Sequence, residues 1–177
     1  GGTAAELIQS AEEEEIADII FQLGEEPYAR RIARKIIHER QKEPILGTAR
    51  LAQIVRDAYG PRARTSRLNP ATRTFMALRI AVNDELAALD ALLLDVKTGS
   101  RTVNDDGWLN LGARVAVISF HSLEDRRVKQ SFVGLEKSGL ATRLTRKPLR
   151  ATDEEIALNP RSRSAKLRAV QLLQEVV

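Results

Sequence analysis

One short apolar run constrains the fold of this 177-residue chain more than any other feature. Residues 115–120 read Val-Ala-Val-Ile-Ser-Phe, a run rich in β-branched side chains that is typical of a strand buried on both faces. Ser122 and Asp125 follow with the spacing of a helix cap, so a helix is predicted to start at once and to run to about Val133. A buried strand that leads directly into a helix predicts an α/β sheet of the βαβ type.

The sequence before this strand predicts helices only. Capping boxes, a single capping residue or a proline in the first turn mark five helix starts. These starts are at Thr3, Ser10, Pro27, Thr48 and Asn69. The second helix is expected to stop at Gly24, and the last is expected to run without a break to about Asp95.

The last third of the chain predicts fewer regular elements. We expect a loop near residues 134–150, a short helix capped by Thr152 with Glu155, and a final strand around residues 166–173. One clear internal strand and one or two others are too few for a complete doubly wound sheet, because parallel strands need neighbours at both edges. The missing strands are therefore expected upstream of Gly1.

Charge is segregated along the chain, whose net charge is +4 at pH 7. Every charged residue from Glu6 to Glu26 is acidic, whereas most of those from Arg30 to Arg79 are basic, and a second basic cluster spans Arg143 to Arg168. Such segregation is typical of a protein that binds a polyanion, although an ordinary solvated surface would also explain it. Aromatic residues make up only 4% of the chain, which argues against extensive base stacking.

Composition also excludes several kinds of site. The chain has no Cys, so it has neither disulfides nor thiolate metal sites, and this fits a reducing cytoplasmic compartment. His38 has no Cys or second His beside it in the sequence, so no metal site is predicted. No apolar run approaches the ~18 residues of a membrane span, so no membrane partner is expected.

The end of the predicted strand carries the residues with the most chemical interest. In open α/β sheets, ligands bind beyond the C-terminal ends of the strands. His121 and Ser122 stand at that position and are therefore the candidate catalytic residues. The alternative is structural: Ser122 only caps the helix, and His121 only packs against a loop.

A set of short motifs runs in order through nearly the whole chain. The motifs lie at Thr3–Glu6, Gly24–Glu26, Ala29–Arg34, Asn69–Phe75, Ala77–Leu86, Ser119–Arg126 and Asn159–Arg168. Each motif is modest alone, but the ordered set is highly specific. With this set the sequence closely resembles the bacterial 16S rRNA (cytosine-N4)-methyltransferase family, class I enzymes that use S-adenosylmethionine.

The resemblance implies an architecture. Family members have a Rossmann-like methyltransferase domain interrupted by a helical insertion that recognises substrate. Residues 1–68 are similar to this insertion, and residues 69–177 are similar to the C-terminal portion of the methyltransferase domain. The Gly-rich donor loop of the family precedes the equivalent of Gly1, and this chain has no G-x-G-x-x-G-like loop. We therefore expect no cofactor-binding residues in this chain, S-adenosylmethionine to bind upstream, and the chain alone to be inactive.

The resemblance also implies a substrate. The expected reaction is N4-methylation of a cytidine in 16S rRNA, with the small ribosomal subunit as partner and a homodimer left open. His121 and Ser122 could line the cytosine side of the cleft, where His121 could accept or relay a proton. Two rival functions remain: a non-enzymatic rRNA-binding or ribosome-assembly module, and an inert fragment.

Basic residues are the candidates for contact with RNA phosphates. They are Arg30, Arg31, Arg34, Arg73, Arg161, Arg163 and Lys166. For Arg30 and Arg31 the alternative is an ion pair with the acidic run at residues 12–15. The turn at residues 159–164 is the better RNA candidate, because it combines hydrogen-bond donors, a rigid proline and flanking positive charge.

Overall fold

The computed structural model describes residues 2–65, 69–103 and 107–173. It divides into two compact units, Gly1–Glu85 and Leu86–Val177. The regular elements described in the first unit are helices, and the second unit contains the sheet. Within the described ranges, no helix combines the length and the apolar character needed to cross a bilayer.

Five α-helices and one 3₁₀ helix form the first unit. They are α1 (Ala4–Ser10), α2 (Glu13–Gly24), α3 (Ala29–Arg40), α4 (Thr48–Tyr59), a 3₁₀ helix (Gly60–Arg64) and α5 (Ala71–Asn83). Isoleucines one turn apart on α2 and α3 fill the core, and Ile16, Ile20, Ile32 and Ile36 are fully buried. Each such side chain contributes about 1.5–3 kcal/mol of apolar burial.

The predicted end of α2 at Gly24 is confirmed. A Cβ on Gly24 would lie 2.8 Å from the Arg73 carbonyl oxygen, so this glycine lets α2 approach the backbone of α5. Just beyond it, the buried carboxylate of Glu26 accepts hydrogen bonds from the Tyr59 hydroxyl at 2.7 Å and the Tyr28 amide at 2.9 Å. Burial, and then the bond to Glu26, raise the pKa of Tyr59 above its usual range.

Some of the predicted helix starts are confirmed and others are wrong. The capping box at Thr3 is confirmed, because its hydroxyl accepts from the Glu6 amide at 3.2 Å and its own amide donates to the Glu6 carboxylate at 2.6 Å. The box predicted at Ser10 is wrong. Glu12 is the N-cap of α2 and makes no side-chain cap, while the Ser10 hydroxyl donates backwards to the Glu6 carbonyl at 2.9 Å.

The single long helix predicted from Asn69 to about Asp95 is also wrong. Asp84 adopts a left-handed φ of 51°, which ends α5 and separates it from α6 (Glu85–Gly99). Because α5 packs against α2, the first compact unit extends beyond the predicted boundary at residue 68. The assignment of residues 1–68 as a functional insertion stays a prediction.

The second unit adds a small sheet and two further α-helices to α6. The elements are β1 (Arg114–Ser119), α7 (Ser122–Lys137), β2 (Ala141–Arg143), β3 (Leu149–Arg150), α8 (Asp153–Leu158), a 3₁₀ helix (Pro160–Ser164) and β4 (Lys166–Leu172). The final strand and the short helix capped by Thr152 are confirmed, since the Thr152 hydroxyl accepts from the Glu155 amide at 3.2 Å.

The sheet differs from the predicted βαβ arrangement. Its order is β1-β4-β2, with β3 also paired to β4, and every pairing among the described residues is antiparallel. Burial along β1 alternates, with Val115 and Val117 packed on the core while Ala116 and Ile118 are exposed. The prediction that β1 is buried on both faces is therefore wrong for the described chain. That further strands complete the sheet as a Rossmann-like domain stays a proposal.

Candidate functional site

The antiparallel pairing of β1 with β4 gathers the candidate residues of the second unit. Ser119, the last residue of β1, lies opposite Lys166, the first residue of β4. The 3₁₀ helix Pro160–Ser164 directly precedes β4, and His121 and Ser122 directly follow β1. One end of the sheet therefore holds both the strand–helix junction and the basic turn, and we refer to residues 119–122 and 159–166 as the sheet-end site.

His121 is the N-cap of α7. Its Nδ1 accepts a hydrogen bond from the Glu124 amide at 3.4 Å, and the Glu124 carboxylate accepts from the amides of Phe120 at 2.8 Å and His121 at 3.3 Å. Because Nδ1 accepts a hydrogen bond here, a neutral ring would carry its hydrogen on Nε2, which lies 3.4 Å from Glu124 Oε1. The imidazole thus has a definite structural task at this position.

The structure revises the predicted cap at Ser122. Ser122 is the first residue of α7, and the cap lies one residue earlier at His121. Asp125, the predicted partner of that cap, instead binds Arg168 of β4 through two contacts of 2.7 and 3.2 Å. The alternative in which Ser122 caps the helix is therefore corrected, because the residue that caps α7 is His121.

The ion pair of Asp125 fixes the start of α7 against the sheet. Arg168 is only 6% exposed, and Lys166 Nζ lies 3.6 Å from Oδ2 of the same carboxylate. The hydrogen bond from the Arg168 guanidinium holds the pKa of Asp125 below its usual range. The positive charge of Lys166 is therefore partly satisfied within the protein, which competes with its predicted role in RNA binding.

The predicted turn at residues 159–164 is a 3₁₀ helix braced by its own side chains. The Asn159 side-chain oxygen accepts from the Arg161 amide at 3.3 Å, and the buried Ser162 hydroxyl donates to the Asn159 carbonyl at 2.8 Å. Arg161 and Arg163 are exposed and form no ion pair within the described parts of the chain. The turn thus presents two cations from a fixed backbone.

Two residues, one beside the sheet-end site and one within it, were not predicted as site residues. Arg150 of β3 is exposed and lies opposite Lys166, on the side of β4 away from β1. Its position inside the basic segment 143–168 was the available signal, but only the pairing shows that it lies beside the site. Ser119 is 1% exposed, and its hydroxyl has no hydrogen-bond partner among the residues described.

The other predicted RNA-binding residues lie in the first unit and differ in their surroundings. Arg34 pairs with Glu13 at 3.5 Å, and Arg73 donates to the Glu25 carbonyl at 3.2 Å. Arg30 and Arg31 are exposed and have no ion-pair partner in the described ranges. The alternative pairing with the acidic run at residues 12–15 therefore applies to Arg34 and not to these two.

The expectation that S-adenosylmethionine binds outside this chain stays a prediction. The backbone amides of Phe120 and His121 follow β1 and could contact a donor there. Both amides instead donate hydrogen bonds to the Glu124 carboxylate. The only glycine within three residues of β1 is Gly112, which precedes the strand at its opposite end. Close approach of a nucleotide to the backbone at the sheet-end site would meet side chains instead of glycines.

Comparison with known proteins places the chain among methyltransferases. A family model described as the MraW methylase family matches residues 1–173. The ribosomal RNA small subunit methyltransferase H of Prochlorococcus marinus (strain MIT 9303) is 53% identical over 178 residues, covering 100% of this chain and 54% of that protein. The protein of the same name from Synechococcus sp. (strain WH7803) is 51% identical over 176 residues, covering 99% and 54%. The chain spans about half the length of these relatives.

Proposed function

The chain belongs to the MraW methylase family, and from this premise we propose that it is part of an enzyme that methylates the N4 amine of a cytidine in 16S rRNA. The family match over residues 1–173 carries the proposal. Relatives named as ribosomal RNA small subunit methyltransferases support the choice of rRNA as substrate. A reaction on the small subunit also favours a cytoplasmic location.

We propose a division of labour in which this chain binds the acceptor RNA. S-adenosylmethionine supplies the methyl group when bound, and we propose that residues outside this chain hold it. The absence of a G-x-G-x-x-G-like loop from the sequence supports this division, as does the half-length coverage of the relatives. The sheet edge at β1, which pairs on one side only within the described residues, is where further strands of a Rossmann-like domain would add.

His121 acts, in this proposal, as a positioning residue. Its Nδ1 holds the first turn of α7, so the imidazole fixes the path of the chain from Phe120 to Ser122. Ser122, at the first position of α7, lines the side of the cleft that receives the cytosine. Precise placement of an acceptor amine is worth much of the rate gain in a transfer that needs in-line alignment.

Arg161 and Arg163 bind phosphates of the acceptor RNA in this proposal. Both are exposed on a 3₁₀ helix whose backbone is held by its own hydrogen bonds. RNA binding therefore has to order only the two arginine side chains. Contacts of this kind set the register of the RNA without reading its sequence. Arg150, on the neighbouring strand, extends the same cationic surface.

A salt titration tests the RNA assignment. The double variant R161A/R163A should bind a small-subunit rRNA fragment roughly tenfold more weakly, and the slope of log affinity against log salt should fall by about 1.4, because two phosphate contacts are lost. R101A/R114A removes the same charge from exposed positions, one of them at the opposite end of β1. Equal losses in both double variants would overturn the assigned surface.

Calorimetry tests the location of the donor. Titration of S-adenosylmethionine into the 177-residue chain should give no heat of binding, and the chain alone should transfer no methyl group to small ribosomal subunits. Stoichiometric binding would show that the donor site is in this chain and would contradict the division of labour. The chain could also bind RNA and yet leave methylation by the proposed longer enzyme unchanged when it is added to that reaction. This result would favour the alternative of a non-enzymatic RNA-binding module.

A further inference from the structure

A groove in the first unit lies between the second half of α2 and the start of α3. It encloses about 590 Å³, which is within the range of ligand pockets. Phe21 and Pro27 supply apolar walls, and Arg30 and Arg31 supply positive charge. We propose that this groove binds one unpaired nucleotide of the RNA substrate, with the base stacked on Phe21 and its phosphate on the two arginines. The inference deepens the proposed function and rests on it.

Phe21 is the observation that first points to a ligand. Its side chain is 61% exposed, although its neighbour Ile20 on the same helix is fully buried. Phe21 therefore does not belong to the buried core of the unit, and it lines the groove together with Pro27. A ring in this situation can stack any base, because every base has a π-face.

The cations of α3 show which charges are available to a phosphate. Arg34 is paired with Glu13, Lys35 binds Glu39 at 3.0 Å, and Arg40 donates to the carbonyl of Ala11 at 2.5 Å. Among the arginines and the lysine of this helix, only Arg30 and Arg31 have no ion pair or side-chain hydrogen bond in the described ranges. Neither arginine is held in a direct ion pair within the described ranges, so both guanidinium groups can bind a nucleotide phosphate at the groove.

Asp18 and Gln22 supply polar groups on the α2 side of the groove. A carboxylate disfavours a phosphate but accepts a hydrogen bond from an exocyclic amine of a base. The groove should therefore prefer a base with an amine over one with a carbonyl at the same position. Cytosine and uracil differ in this way at position 4, so the two bases provide a matched comparison.

Fluorescence anisotropy with labelled C10 and U10 oligoribonucleotides tests the proposal on the full 177-residue chain. F21A should weaken binding of C10 roughly 5- to 100-fold, as expected for loss of one stacked base, and F21Y should retain it. L46A is the matched control, because Leu46 is a 76% exposed apolar residue of the same unit. D18N should reduce the preference for C10 over U10. Circular dichroism and urea midpoints confirm that the variants fold.

The possible outcomes separate this inference from the proposed function. If R161A/R163A weakens RNA binding while F21A does not, the groove is not a nucleotide site and the RNA role stands. If no variant, nor the unaltered chain, binds RNA, both proposals fall. If F21A changes only self-association in sedimentation, the groove is a protein contact and the inference is overturned.

Discussion

The first turns of α3 and α7 are built in opposite ways. The start of α7 carries a side-chain cap from His121, a reciprocal carboxylate from Glu124 and a second acid at Asp125. The start of α3 has Tyr28 as its N-cap with no side-chain hydrogen bond, no acid in the first turn, and Arg30 and Arg31 in the place of acids. The first arrangement complements the positive end of a helix. In the second, Arg30 and Arg31 oppose it, and the Glu26 carboxylate that precedes the helix offsets them in part.

This difference shows where each helix obtains its stability. For α3 the stability comes from packing, because Ile32 and Ile36 are fully buried against the core of the first unit. The helix can therefore tolerate unfavourable charge at its start. The first turn of α7 instead stabilises the strand–helix junction directly, through its cap and through Arg168. Residues that oppose local stability are the better indicators of binding, and those of α3 meet this criterion.

The largest expected effect comes from breaking the ion pair that anchors α7. R168A should lower the free energy of unfolding by about 3 kcal/mol, because it leaves the Asp125 carboxylate without its main partner in a largely buried place. Urea unfolding followed by the fluorescence of Trp108, the only tryptophan, measures the change. R150A, at an exposed residue of the same sheet, should change stability by less than about 0.5 kcal/mol.

The pH dependence of this pair gives an independent check. The pKa of Asp125 is held below its ordinary value of 3.8 in the folded chain, so its contribution is fully present above that pH. The contribution should be lost as the pH falls through the lower folded pKa. The difference between the unaltered chain and R168A should therefore shrink at acid pH, and a constant difference would show that packing of the arginine stem dominates.

A smaller effect is expected from removing the cap of α7. H121A should cost about 1 kcal/mol of stability, whereas H121N should recover most of it, since an amide oxygen can accept from the Glu124 amide as Nδ1 does. Unfolding followed by Trp108 fluorescence again measures both variants. In the longer enzyme that we propose, H121N should also keep methyl transfer if His121 only positions the chain. Loss of transfer in H121N with normal stability would show that imidazole chemistry is required.

Local signals in the sequence predicted most elements but not the way they meet. The caps at Thr3 and Thr152 are made by residues three positions apart, so their spacing was sufficient. The break at Asp84 was missed because the apolar period continues across it, although adjacent Asn and Asp favour a left-handed residue. The antiparallel pairing of β1 joins residues about fifty positions apart, and a single strand pattern does not specify its partner.

The candidate site shows the same limit. The predicted position of His121 just after a strand is confirmed. Its capping role was assigned to Ser122, because imidazole is not among the common capping groups. Asp125 was assigned to the cap because its partner Arg168 lies 43 residues away in sequence. Phe21 fits a helical pattern like any other apolar residue, and only its exposure in the folded unit distinguishes it.

The smallest effect, and the sharpest test of the comparison, concerns the start of α3. R30E should raise the free energy of unfolding by about 0.3–1 kcal/mol, because an acid in the first turn of a helix interacts favourably with its positive end. The same variant should weaken RNA binding and lower its salt dependence, so stability and binding would move in opposite directions. R34E, three residues after Arg31, should instead lose stability because it places a second carboxylate beside Glu13. If R30E destabilises the unit, Arg30 has a structural partner and the start of α3 is not a binding surface.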